Sequence, residues 1–392
     1  MYSKRVLLLI HVILGVSSYL GVSPIRFDIP SKRFHCTVRT RFCCRMMTTL
    51  FLVQWVFGTY RLYCLPTLTK ESTADEIVEF NIIYITMMCL IIPIICFLLL
   101  SIRGDALARS LTQVLRYSKY IESKWCCFSR FQEFRAFPTS LILERLFYLL
   151  LATGTLSSFA GGTGVILHRT VASNWISLIP VEHRNTVLVW MDHSWEAYVI
   201  AMSGVGIVSV CCVIAFQLAF TLPFYSEFCL APKSGKRRLT LPDFRSADFM
   251  PLEYRKYEQL HNFYMPIFGP VFIPFQAVVM QFSMIANWML LHYWGTLGIL
   301  RLVLVSVEMG LLIYWILMLE FGGRFYAASK RNKESWRELG EKSKFLKKWR
   351  KSVRPLCAGY EGYLVIKRLS VLKFLKGIVR GTFRTLLTFS DD

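Results

Sequence analysis

Phe80–Ile102 runs for 23 residues without a charged side chain, and Gln259–Leu300 contains no Asp, Glu, Lys or Arg at all. The hydrocarbon layer of a bilayer is about 30 Å thick, so a crossing helix needs about 20 mostly apolar residues. Backbone groups find no water there, which leaves only helices or a closed barrel able to cross. Apolar runs this long exceed any strand. The chain is therefore constrained to an all-α bundle of membrane helices. Charged residues make up only 18% of it, against about 25% in soluble domains, which argues against two or three soluble domains of this total length.

Seven segments meet the length requirement, at about 46–66, 77–102, 141–167, 197–222, 263–291, 296–320 and 363–390, and 321–360 reads as a helical extension between the last two. The whole of 1–392 is then one transmembrane domain. An eighth apolar stretch, 6–22, follows a basic start. It lacks a clear small-residue cleavage site, so it is expected to stay as a helix that dips into the membrane or packs on the bundle.

Charge sets the orientation. Residues 1–45, 103–140, 226–262 and 321–360 hold eight, seven, seven and twelve Lys/Arg. The intervening connections 67–76, 168–196 and 291–295 hold one, two and none. Positive loops stay in the cytosol. The N-terminus is expected inside, and seven crossings place the C-terminus outside. The net charge of +21 reflects these loops and does not call for a nucleic-acid partner.

Enzyme chemistry finds little support. His168, His183 and His193 share one outer connection at spacings of 15 and 10, unlike the i, i+4 pairs of metal-binding helices. Phosphate-loop, nucleophile-elbow and CxxC patterns are missing from the sequence, so no metal or cofactor is expected. Gly161-Gly162-Thr163-Gly164 reads as a helix end. Pro266, Pro270 and Pro274 break one span without a counterpart in the other half, which favours one kinked helix over an inverted-repeat transporter. Cys43-Cys44 and Cys126-Cys127 lie beside the membrane, as reduced thiols or as acylation sites. Glu308, inside a span, is either bonded to a neighbouring side chain or a pore partner.

The last segment is the most informative. Lys373, Lys376, Arg380 and Arg384 step by 3, 4 and 4, which puts them on one helical face. Facing lipid, each costs about 2.5–3.5 kcal/mol at mid-bilayer. The segment is thus a span lining an aqueous path or an amphipathic helix on the cytosolic surface.

The sequence ends in Thr382-Phe383-Arg384-Thr385-Leu386-Leu387-Thr388-Phe389-Ser390. This resembles the C-terminal signature of the arthropod odorant and gustatory receptor superfamily: Thr-Tyr, five hydrophobic residues, then Gln-Phe. Thr382 is kept, Phe383 replaces Tyr, and Phe389 and Ser390 stand at the Gln and Phe positions. Length, inverted topology and the long connection before the last span fit as well. The resemblance implies a plasma-membrane chemoreceptor subunit, assembled as a homo- or hetero-tetramer around a central pore. A small odorant or tastant would open it as a ligand-gated, non-selective cation channel. It also implies a gate at Leu386, with Thr382, Phe383, Phe389 and Ser390 lining the path, and a ligand pocket for which Tyr84, Ser157, Phe159, Tyr198 and Met202 are candidates. Cation conduction requires the basic stripe to turn from the pore, toward Glu308 and Glu320 for example. The alternative classes are a G-protein-coupled receptor or a transporter.

Overall fold

The computed structural model describes residues 2–64, 74–126, 144–145, 147–149, 151–152, 175–230, 238–337, 343–360 and 363–389. Most of the expected span 141–167 lies outside them. Long helices dominate: α1 (Lys4–Tyr19), α2 (Val38–Cys64), α3 (Ala74–Trp125), α4 (Thr186–Tyr225), α5 (Met250–His292), α6 (Leu300–Ser335), α7 (Lys344–Ser352) and α8 (Ser370–Phe389). Among the described residues two small antiparallel hairpins accompany them, β1 (Ile25–Asp28) with β2 (Arg33–Cys36) and β3 (Gly359–Tyr360) with β4 (Leu364–Val365). Among the described residues, five helices (α2 to α6) are long and apolar enough to cross a membrane. The chain is a multi-pass membrane protein.

Local chemistry explains the starts and joins. Ser3 caps α1 by accepting the Val6 N–H at 3.1 Å, which satisfies a donor the first turn leaves open. The buried face of α1 carries Val6, Ile10, Ile13 and Leu14. Ser209 Oγ on α4 donates to Ser17 Oγ at 2.6 Å and ties the two helices together. The segment 6–22 therefore contributes a helix packed on the bundle. The β1–β2 hairpin docks on α3, where the Phe34 N–H donates to Thr112 Oγ1 at 3.0 Å.

Several helices outrun the bilayer. At 1.5 Å per residue, the 52 residues of α3 extend about 78 Å. In its second half Leu107, Leu111, Val114, Leu115 and Ile121 are all buried. α5 is one continuous helix through Pro266, Pro270 and Pro274. All three are exposed, so the backbone bonds they delete lie on the outward side, away from the packed stripe.

Beyond the spans, an aromatic hub joins four helices. Tyr225, Tyr254, Tyr257 and Trp336 are fully buried there. Tyr225 OH donates to Ser329 Oγ at 2.8 Å, and Trp336 Nε1 donates to the Phe228 carbonyl at 2.8 Å. Ser329 Oγ also accepts the Leu356 N–H at 2.6 Å, so one hydroxyl on α6 links the end of α4 to the strand-like run after α7. Ser329→Ala is expected to leave that N–H unsatisfied and cost about 2 kcal/mol, read as a lower unfolding midpoint of the purified protein. An unchanged midpoint would show that Ser329 is not a link. Gly359 sits at φ +125, and a Cβ on Gly269 of α5 would come 2.6 Å from its carbonyl oxygen. Only glycines allow the β3–β4 hairpin to lie this close to α5.

Candidate functional site: the last helix and the far end of the bundle

α8 is 20 residues long, about 30 Å, which matches the hydrocarbon thickness. Phe374, Ile378 and Thr382, at 3%, 5% and 8% exposure, form its packed face, and the helix lies along α5 and α6. Gly377 and Gly381 bring it close to α5. A Cβ at Gly377 would meet Met280 Sδ at 3.3 Å, and one at Gly381 would overlap Met284 Sδ. Small residues four apart permit such close approach between membrane helices. This G-x-x-x-G spacing is legible in the sequence, interleaved with the basic stripe.

The opposite face is open. Lys373, Lys376, Arg380, Phe383, Arg384 and Leu387 are all exposed. Lys376 lies two residues past Phe374, and Arg380 two past Ile378. Each step turns about 100°, which sets the cations roughly opposite the packed face. Among the described residues no carboxylate is within ion-pair distance of the four cations. Glu308 is buried at 5% exposure. Glu320 pairs with Arg324 at 2.6 Å. The stripe thus does not turn toward these two acids.

The expected gate and pore residues divide between the faces. Phe383 is on the open face, 62% exposed. Thr382 is on the packed one, and its hydroxyl has no hydrogen-bond partner among the described residues. Leu386 sits half-buried between the two, against a cluster that includes Phe282 and Met289 of α5. The Phe389 side chain and Ser390 lie outside the described residues. Leu372, Val379 and Leu387, 63%, 55% and 69% exposed, join Phe383 as large apolar side chains on the open side of the helix; sequence reasoning did not place Leu387 in the path.

A second constellation occupies the end of the bundle where α2 finishes and α4 begins. Gln54 of α2, 2% exposed, is its centre. Its Oε1 accepts from Trp175 Nε1 at 2.6 Å and from Trp195 Nε1 at 3.0 Å. Its Nε2 donates to Glu196 Oε1 at 2.9 Å. Asp192 Oδ1 accepts the Ile176 N–H at 3.2 Å. Below this polar layer Met47, Phe51, Ile83, Met87, Val199 and Met202 pack as one apolar cluster. Trp175 stacks on Phe57 at 3.8 Å between ring centres, beside an open groove of about 430 Å³ walled by Leu52, Val56, Phe57 and Tyr60 among others. Trp55 Nε1 and both ring nitrogens of His193 have no hydrogen-bond partner among the described residues. An apolar wall with a few converging polar handles is the usual make-up of a small-molecule site.

Of the five ligand candidates, the structure brings two together. Tyr198 OH contacts Met47 Sδ at 3.3 Å, and Met202 is buried in the same cluster. Tyr84 is elsewhere: its hydroxyl accepts from Gln281 Nε2 on α5. Ser157 and Phe159 lie outside the described residues. Gln54 was missed. Its signal was a lone amide in the uncharged run Met46–Tyr60, where a polar side chain has to find partners. Metal-binding groups of three or more His, Cys, Asp or Glu are absent among the described residues.

No protein-family model matches the sequence, and no curated protein is matched by it. Among solved structures, the chain is similar to the insect olfactory receptor OR5 from Machilis hrabei, with a TM-score of 0.67 and 12% identity. That match covers 97% of this chain and 96% of the other. The same receptor in complex with eugenol matches at a TM-score of 0.66 and 11% identity, over 98% of each chain.

Proposed function

We propose that this chain, which has the fold of an insect olfactory receptor from end to end, is a divergent member of the odorant and gustatory receptor superfamily. In this reading it is a chemoreceptor subunit in the plasma membrane, opened by a small molecule. The observation that carries the proposal is the shared fold, spanning 97% of one chain and 96% of the other. An independent support is α8, a bilayer-length helix with one face packed and one face charged and open. Such a helix needs water on its open side, which a pore shared by several copies supplies.

The proposed orientation keeps the N-terminus and the aromatic hub in the cytosol and the C-terminus outside. Tyr198, Met202 and the Gln54 cluster then fall in the outer half, where they would take a small apolar molecule with one polar group. Phe383, Leu386 and Leu387 supply the apolar constriction near the outer end of α8, with Thr382 behind them. Closure would follow from dewetting between copies. A tetramer, alone or with a co-receptor subunit, is the assembly the resemblance implies. The resemblance also implies a cation path, which needs the basic stripe neutralised. Glu320 is paired with Arg324 and Glu308 is buried, and neither lies within ion-pair distance of the stripe.

The test is a tag placed after Asp392, probed with an impermeant antibody. Labelling of intact cells is expected, followed by current evoked from a panel of volatile and soluble small molecules. Labelling only after permeabilisation would leave α8 in the cytosol and remove the pore. Surface protein that responds to small molecules without carrying current would favour a G-protein-coupled receptor.

A further inference from the structure

We infer that the path lined by α8 passes anions in preference to cations, with Lys376 and Arg380 setting the selectivity. The inference rests on the channel reading above and goes beyond it in naming the permeant ion. Lys373 and Arg384 are eleven residues apart, about 16 Å along the helix axis. The cations therefore occupy more than half of a hydrocarbon layer about 30 Å thick. Arg380 lies at the middle of Ser370–Phe389, where the side chain cannot reach either headgroup layer. Extension toward an interface serves only residues near helix ends.

The packing settles which way these side chains point. Phe374, Ile378 and Thr382 are buried on α5 and α6, and Gly377 and Gly381 lock that contact by admitting Met280 and Met284. Rotating the helix to turn the stripe inward would expose three buried side chains and drive Arg380 into the seam. Of the acids on α6 that the spacing suggested as partners, Glu320 pairs with Arg324 and Glu308 is buried, and neither lies within ion-pair distance of the stripe. The stripe thus faces the common lumen with no carboxylate among the described residues within ion-pair distance. In a ring of copies each position becomes a ring of positive charge. Such rings raise the local concentration of anions and repel cations, most strongly between low-dielectric walls.

The experiment uses the purified full chain in proteoliposomes, with iodide and thallium(I) as the two permeant probes. Because the natural opener is unidentified, the path is widened by F383A with L387A. Both positions are exposed, at 62% and 69%, so truncation leaves the packed face intact. Iodide is expected to enter roughly tenfold faster than thallium. Adding K376Q and R380Q in the same background is expected to bring the ratio to about one or below. These two positions are exposed as well, and an unchanged size-exclusion profile verifies the assembly. Thallium entering faster than iodide in the F383A/L387A protein would overturn the inference and leave the channel reading standing. Neither ion entering above the rate of empty vesicles would overturn the channel reading and this inference with it.

Discussion

Gln54→Leu is expected to cost about 4 kcal/mol of stability and to abolish the response to any ligand that uses the far-end cluster. Leu is close to Gln in volume, so the loss is polar rather than steric. The substitution strips the acceptor from the Trp175 and Trp195 indoles and the donor from the Glu196 carboxylate in one step. A buried group left without its partner costs about 1–3 kcal/mol, more when charged. The measurement is the unfolding midpoint of the detergent-solubilised protein, with tryptophan fluorescence reporting the two indoles. Gln54→Leu with Glu196→Leu is expected to recover part of the loss, because the double variant removes the stranded carboxylate along with its donor. A single variant that melts with the parent would mean that the cluster is wet and Gln54 holds nothing.

Arg245→Met is expected to cost about 3 kcal/mol. The loop between α4 and α5 folds around an ion pair whose partners, Arg245 and Glu227, are only 8% and 9% exposed. Arg245 Nη1 lies 3.5 Å from Glu227 Oε2 and donates to Thr240 Oγ1 at 2.6 Å. The Thr240 hydroxyl in turn donates to the same carboxylate oxygen at 2.8 Å. Methionine fills the space of the aliphatic stem and removes the charge, leaving Glu227 buried and unneutralised. Breaking a buried pair from one side costs about 3–5 kcal/mol. The lower end applies because the Leu239 and Thr240 N–H groups, both at 3.3 Å, still reach the carboxylate. Glu227→Gln in the Arg245→Met background is expected to restore much of the loss. Hydrogen exchange over 238–250, compared between single and double variants, reads the effect where it arises. Equal exchange in parent and Arg245→Met would rule out the pair as a structural element.

The two variants probe opposite ends of the bundle, and sequence reading approached neither residue. Gln54 stands alone in an apolar run, and nothing in its neighbours shows that Trp175, Trp195 and Glu196 come to it from more than 120 residues away. Glu227 and Arg245 are ordinary charges of a basic loop until the loop closes on them. Both cases depend on burial, which a linear pattern registers only when it repeats. The ligand candidates show the same limit. Tyr198 and Met202 share a helical face by spacing alone, and they do meet one cluster. Tyr84 resembles them in residue type alone, and its helix turns it toward α5.

What the sequence determined by itself was set by local requirements. A bilayer demands unbroken apolar runs, so helices long enough to cross follow from composition along the chain. The step of 3, 4 and 4 places four cations on one face of α8 whatever surrounds it. The tertiary structure decided where that face looks. Gly377 and Gly381 admit Met280 and Met284, Phe374 and Ile378 are buried beside them, and the stripe is left on the open side. The spacing of charges is a property of one helix, while their direction belongs to the contact between two, and that contact depends on shapes brought together across about 100 residues of chain.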